Sequence, residues 1–167
     1  MTDIQLADHK GYMQLALEQA KKSPPKPTNY RVGAVIVDTA SNEILATGYT
    51  LELPGNTHAE QCCLLKLAEK HGVSEENLGD VLPTNLALYT TVEPCSKRLS
   101  GNLPCVERVK RLAGCIKTVH VGILEPETFV AENTGKKSLQ DAGIQVVAVE
   151  GFEKDILEVA TAGHIKS

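Results

Sequence analysis

Apolar residues recur along this chain in two rhythms, and the points where the rhythm changes mark out its elements. From about His9 to Ser23 the apolar positions Met13, Leu15, Ala16, Leu17 and Ala20 stand among polar ones, as on the buried stripe of a helix, and Pro24-Pro25-Lys26-Pro27 ends it. Arg31 to Val37 is a nearly continuous run of small and β-branched residues and predicts a strand. Asp38 to Asn42 predicts a turn and Glu43 to Tyr49 a second strand, so the pair forms a hairpin. A helix is predicted from His58 to about His71, with Thr57 as its N-cap and Cys62, Cys63, Leu64, Leu65, Leu67 and Ala68 on its buried side. A polar, Gly-containing connection runs to Pro83. Beyond it the pattern alternates: a strand over Asn85 to Thr91, a helix over Cys105 to Ala113 closed by Gly114, and a strand over Lys117 to Ile123. A helix over Lys136 to Ala142 stopped by Gly143, a strand over Ile144 to Val149 and a helix over Glu153 to Ala160 complete it. An opening hairpin followed by β and α in alternation predicts a mixed five-stranded sheet covered by helices on both faces.

Composition narrows this picture. At 167 residues and 42% hydrophobic content the chain reads as one domain with a single core. Nothing in it resembles a secretory leader or a membrane span, because the first long apolar stretch is broken by Gly33 and Asp38; a soluble, cytoplasmic protein is expected, with no membrane partner. Five cysteines, an odd number, suit a reducing compartment better than a disulfide framework. A net charge of -4, with two Phe, four Tyr and no Trp, argues against a nucleic-acid binder, which wants a basic stripe and stacking platforms. Basic residues do gather after the third strand. Lys97 and Arg98 lie between two cysteines, whereas Arg108, Lys110, Arg111 and Lys117 are expected on a solvated helix face.

The chemistry-bearing residues are His58, Glu60, Cys95 and Cys105. They stand in the order His58-Ala59-Glu60, then Glu93-Pro94-Cys95, then Pro104-Cys105. One imidazole and two thiolates make three ligands for a tetrahedral zinc and leave a fourth position for water, while a carboxylate beside the first ligand can move that water's protons. The order matches the signature of zinc-dependent nucleobase deaminases, His-x-Glu followed by Pro-Cys-x-x-Cys, with one departure. Nine residues, Ser96 to Pro104, separate the two cysteines instead of two, so this loop must fold back to present the second thiolate. Glu60 is the expected proton carrier, and Glu93 is ranked below it as a bracing group.

Cys62 is a rival ligand, four residues from His58 and so on the same helix face, with Cys63 adjoining it. Together with Cys115 these are read as small core residues, since free cysteine is among the most buried residue types. His58 and Glu60 would stand about 200° apart around an ideal helix, so both can serve one site only if His58 lies where the chain is still joining the helix.

Beyond these motifs, the stretches Asn29 to Val37, Thr91 to Ser96, Gly101 to Cys105, Val121 to Val130 and Gly135 to Ile144 are similar to the riboflavin-pathway pyrimidine deaminases of fungi. More distantly, the chain resembles the deaminase half of the bacterial bifunctional riboflavin enzymes, and the similarity covers nearly its whole length. The resemblance implies a cytidine-deaminase-like three-layer α/β/α fold over residues 1–167, a bound zinc ion and a homodimer. It implies hydrolysis of the 2-amino group of a diamino-ribitylamino-pyrimidinone phosphate with release of ammonia. Asn29 would contact this small-molecule substrate. Lys97, Arg98 and Asn102 stand where the bacterial loop binds the phosphate, a role carried over by position alone. Leu51 replaces a bacterial His and Tyr30 a bacterial Pro, and no reductase domain is expected; these departures favour the fungal substrate. Other readings are a deaminase of cytidine, guanine or transfer RNA, a catalytically silent zinc-folded partner subunit, and one domain of a longer polypeptide.

Overall fold

A computed structural model describes residues 9–24, 31–54, 57–92, 105–123 and 134–162, and not the side chains of residues 134–136. Its elements follow in the order α1 (His9–Ala20), β1 (Gly33–Asp38), β2 (Glu43–Tyr49), α2 (Ala59–His71), a 3₁₀ helix (Glu75–Asp80), β3 (Leu86–Val92), α3 (Cys105–Lys110), β4 (Ile116–Ile123), α4 (Thr134–Asp141), β5 (Gln145–Ala148) and α5 (Glu153–Ala160). The strands make one mixed sheet in the order β2-β1-β3-β4-β5. β1 pairs antiparallel with both β2 and β3, whereas β3, β4 and β5 run parallel. Parallel neighbours need a crossover, and the helical patterns after β3 and β4 supply it.

Strand alternation divides the core into two. Ala34, Ile36, Leu86, Leu88, Val119 and Val121 face one side, where Cys63, Leu64 and Leu67 of α2, Val106 and Val109 of α3 and Leu139 of α4 cover them. Val35, Val37, Ala87 and Tyr89 face the other, beneath Met13, Ala16 and Leu17 of α1 and Ile156 and Ala160 of α5. The expected three layers are therefore present. Two glycines set how closely the helices lie. A Cβ on Gly33 would stand 1.8 Å from the carbonyl oxygen of Ala16 in α1, and one on Gly48 2.4 Å from that of Ala59 in α2. Backbone meets backbone at both places, and no side chain fits between.

The elements differ from the sequence-based expectation where tertiary contacts override local pattern. α1 stops at Ala20, and Ser23, expected inside it, instead donates its hydroxyl to the Thr50 carbonyl at 2.8 Å. The connection before Pro83 contains a 3₁₀ helix, because Leu78 is drawn into the core. α3 is shorter than predicted, ending at Lys110, and Gly114 has no left-handed conformation to close it. Both Cys115 and Ile116 donate to the Leu112 carbonyl, at 2.8 and 2.7 Å, so a tight turn buries Leu112 and leads straight into β4. Arg108 is not on a solvated face. It is 8% exposed and paired with Glu75 of the 3₁₀ helix, which ties α3 to the segment after α2.

Beneath the α1 face, Tyr89 and His120 are partners across β3 and β4 and stack at 4.2 Å with their planes 6° apart. The His9 ring stacks on His120 at 4.5 Å, and its Nδ1 shares a hydrogen bond with the Tyr89 hydroxyl. Burial, with the nearby His9 charge adding to it, pushes the His120 pKa down from 6.5 to about 4. The unfolded chain therefore binds more protons at this residue between those two values, and stability falls as pH drops through the window. Thermal unfolding is expected to show a loss on the order of 1 to 3 kcal/mol from this source between neutral pH and pH 4. Against a His120→Phe variant, whose melting temperature should depend less on pH over that interval, equal slopes would rule this out.

Candidate metal and catalytic site

The site is assembled at the start of α2. Gly48 lets the Ala59 carbonyl settle directly on β2, so the first turn of α2 lies against the hairpin. Leu51 turns the chain out of β2 with a left-handed φ of 66°, and its N–H donates to the Thr57 carbonyl at 2.8 Å. Thr57 is not the N-cap. Its hydroxyl is turned back to the Leu53 carbonyl at 2.9 Å, and the cap is His58, with extended φ -98° and ψ 162°. The His58 N–H donates to Oε1 of Gln61 at 3.2 Å. Because His58 precedes the first helical residue, the 200° separation of two helical positions does not apply to it.

His58 and Cys105 come together from the starts of α2 and α3. Nδ1 of His58 lies 3.6 Å from Sγ of Cys105, the first residue of α3. A tetrahedral zinc at its usual distances from nitrogen and sulfur places those two atoms about 3.6 Å apart, so this half of the donor set fits the metal. The same separation also suits a weak thiol–imidazole hydrogen bond. Cys95, the third expected ligand, lies outside the described residues, as do Asn29, Glu93, Lys97, Arg98 and Asn102. Among the described residues no cluster of three or more potential ligands occurs.

Glu60 belongs to the first turn of α2 and is 4% exposed. Its Oε2 lies 3.1 Å from the hydroxyl of Thr90, a fully buried residue of β3. The sequence reading passed over Thr90. A polar residue at a position that alternates with core-facing Leu86 and Leu88 was the available signal.

The rival thiols are occupied elsewhere. Cys62 Sγ donates to the Tyr49 carbonyl at 3.5 Å, Cys63 Sγ to Ala34 at 3.7 Å, and Cys115 Sγ lies 3.8 Å from the carbonyls of Gly79 and Leu82. Burial pushes the Cys63 thiol well above its ordinary pKa, and the negative charge of Glu60 adds to this. Such a thiol stays neutral, unlike a metal ligand.

A family model, the cytidine and deoxycytidylate deaminase zinc-binding region, matches residues 6–123. A diaminohydroxyphosphoribosylamino-pyrimidine deaminase of Schizosaccharomyces pombe is 41% identical over 94% of this chain, which spans 36% of that protein's length. The crystal structure of Aspergillus oryzae Rib2 deaminase in complex with DARIPP, a C-terminal deletion mutant, superposes with TM-score 0.85 at 47% identity, covering 93% of this chain and 91% of that one. A deaminase/reductase from Thermotoga maritima gives TM-score 0.68 at 27% identity, over 91% of this chain and 39% of the bacterial one. The chain belongs to the cytidine and deoxycytidylate deaminase zinc-binding family.

Proposed function

We propose that this chain is a zinc-dependent deaminase of riboflavin biosynthesis that hydrolyses the 2-amino group of a phosphorylated diamino-ribitylamino-pyrimidinone and releases ammonia. The observation that carries the proposal is the zinc-like spacing of His58 and Cys105, 3.6 Å apart in the structure. It stands in a chain that shares 41% identity with a protein named for deamination of a diamino-pyrimidine. His58, Cys95 and Cys105 would hold the metal. Zinc, when bound in a site with an open position, supplies Lewis acidity that makes water a nucleophile at neutral pH. Glu60 would take one proton from the attacking water and pass it to the ring nitrogen, then take the second from the hydroxyl group so added to the ring carbon and give it to the departing amine as the carbon–nitrogen bond breaks. Its burial beside the sheet keeps bulk water from competing for those protons. Lys97, Arg98 and Asn102 would bind the phosphate and Asn29 would contact the substrate, on the strength of their positions in the sequence.

Each role has its own readout. Cys105→Ser and His58→Ala should lower bound zinc from about one ion per chain to near zero. Glu60→Gln should keep both zinc and melting temperature while turnover falls by about three orders of magnitude or more. A glutamine variant with near-normal turnover would remove Glu60 from the chemistry. For the substrate, ammonia release should be measured with the ribityl compound, its unreduced ribosyl counterpart, cytidine, guanine and transfer RNA. Preference for the reduced pyrimidinone phosphate is expected, and faster turnover of any of the last three would shift the assignment within the family.

A further inference from the structure

β3 is buried along its whole length, and alternation sends Thr90 to the same side as Leu86 and Leu88, beneath α2. Valine would fill that volume without a polar atom, so the fold alone does not call for a hydroxyl at a residue that is 0% exposed. Among the described residues the Thr90 hydroxyl has two hydrogen-bond partners: the Val92 carbonyl oxygen at 2.8 Å and Oε2 of Glu60 at 3.1 Å. A hydroxyl carries one proton and two lone pairs, so it can donate fully to only one of them at a time. When Glu60 is a carboxylate, Thr90 can donate to Oε2. When Glu60 carries the proton on Oε2, Thr90 can accept it and turn its own hydrogen to Val92.

We propose that Thr90 is a positioning residue for Glu60, holding its carboxyl group in one place through a buried hydroxyl that lies within hydrogen-bond distance of both Glu60 and the Val92 carbonyl. The inference rests on Glu60 being the proton carrier of the proposed deaminase. Val92 is the last residue of β3 and stands three positions before Cys95, so the same hydroxyl joins the carboxyl group to the strand that leads toward the third expected ligand. Oε2 of Glu60 keeps Thr90 as a hydrogen-bond partner in both states, while the Val92 carbonyl receives the Thr90 hydrogen only when Glu60 is protonated.

The test compares Thr90→Val, which keeps the shape and removes the hydroxyl, with Thr90→Ser, which keeps the hydroxyl. Both should retain bound zinc. In the valine variant kcat should fall about 10- to 100-fold with KM within about twofold, as expected when a reacting group is misplaced while substrate binding is intact. Serine should restore most of the loss. Crystal structures of the two variants give a readout independent of turnover: the Glu60 carboxyl group should leave its place in the valine variant and keep it in the serine variant. An unchanged kcat in Thr90→Val, or a Glu60 carboxyl group that does not move in its crystal structure, overturns the inference. So does a loss that serine fails to rescue. If the wild-type chain turns over no substrate, the functional proposal fails on its own, while the structures still decide whether Thr90 holds Glu60.

Discussion

The direct backbone seat of α2 on the hairpin is the constraint from which the site follows. At Gly48 no side chain separates helix from sheet, since a Cβ there would stand 2.4 Å from the Ala59 carbonyl oxygen. The first turn of α2 is thereby held against β2, and His58 and Glu60 hang from that turn. His58 caps it in extended conformation, Glu60 reaches Thr90 on β3, and Cys63 packs on Ala34 of β1. A helix standing off by one methyl group would move these side chains together, and close-packed interiors do not absorb such a shift elsewhere.

The second half of the site is delivered by α3, a helix of only six residues. So short a helix has little stability of its own. Its place is determined by Val106 and Val109 in the core and by the buried pair of Arg108 with Glu75. A buried pair of this kind is weak evidence for stability, because desolvation offsets most of the attraction, but it fixes direction. Here it links the segment after α2 to the helix that starts with Cys105. The helix that follows His58 and the helix that begins with Cys105 are thus registered against each other through residues other than His58 and Cys105.

Much of the fold was legible because strand and helix periodicities are local. The second strand and the last helix were delimited from sequence with the residues the structure gives them, Glu43–Tyr49 and Glu153–Ala160. The errors share a cause. Leu78, Leu112 and Arg108 sit where neighbouring elements decide the conformation, drawing a loop into a 3₁₀ helix, ending α3 early and pairing a charge that pattern alone would expose. The cap shows the same effect, since Thr57 has the better capping side chain yet spends it on Leu53.

The sequence by itself determined which residues are candidates for the chemistry: a His-Ala-Glu and two Pro-Cys pairs match by type and order the signature of zinc-dependent deaminases. It also determined which thiols could be spared, since Cys62, Cys63 and Cys115 lie in apolar runs. Tertiary structure alone decided that His58 lies outside the helix, that it meets Cys105 at 3.6 Å, and that Glu60 shares the Thr90 hydroxyl with the end of β3. The physical reason is range. Ligand identity and strand alternation are properties of residues a few positions apart, whereas the meeting of residues 58 with 105 and 60 with 90 depends on how layers pack, and no local pattern encodes that distance.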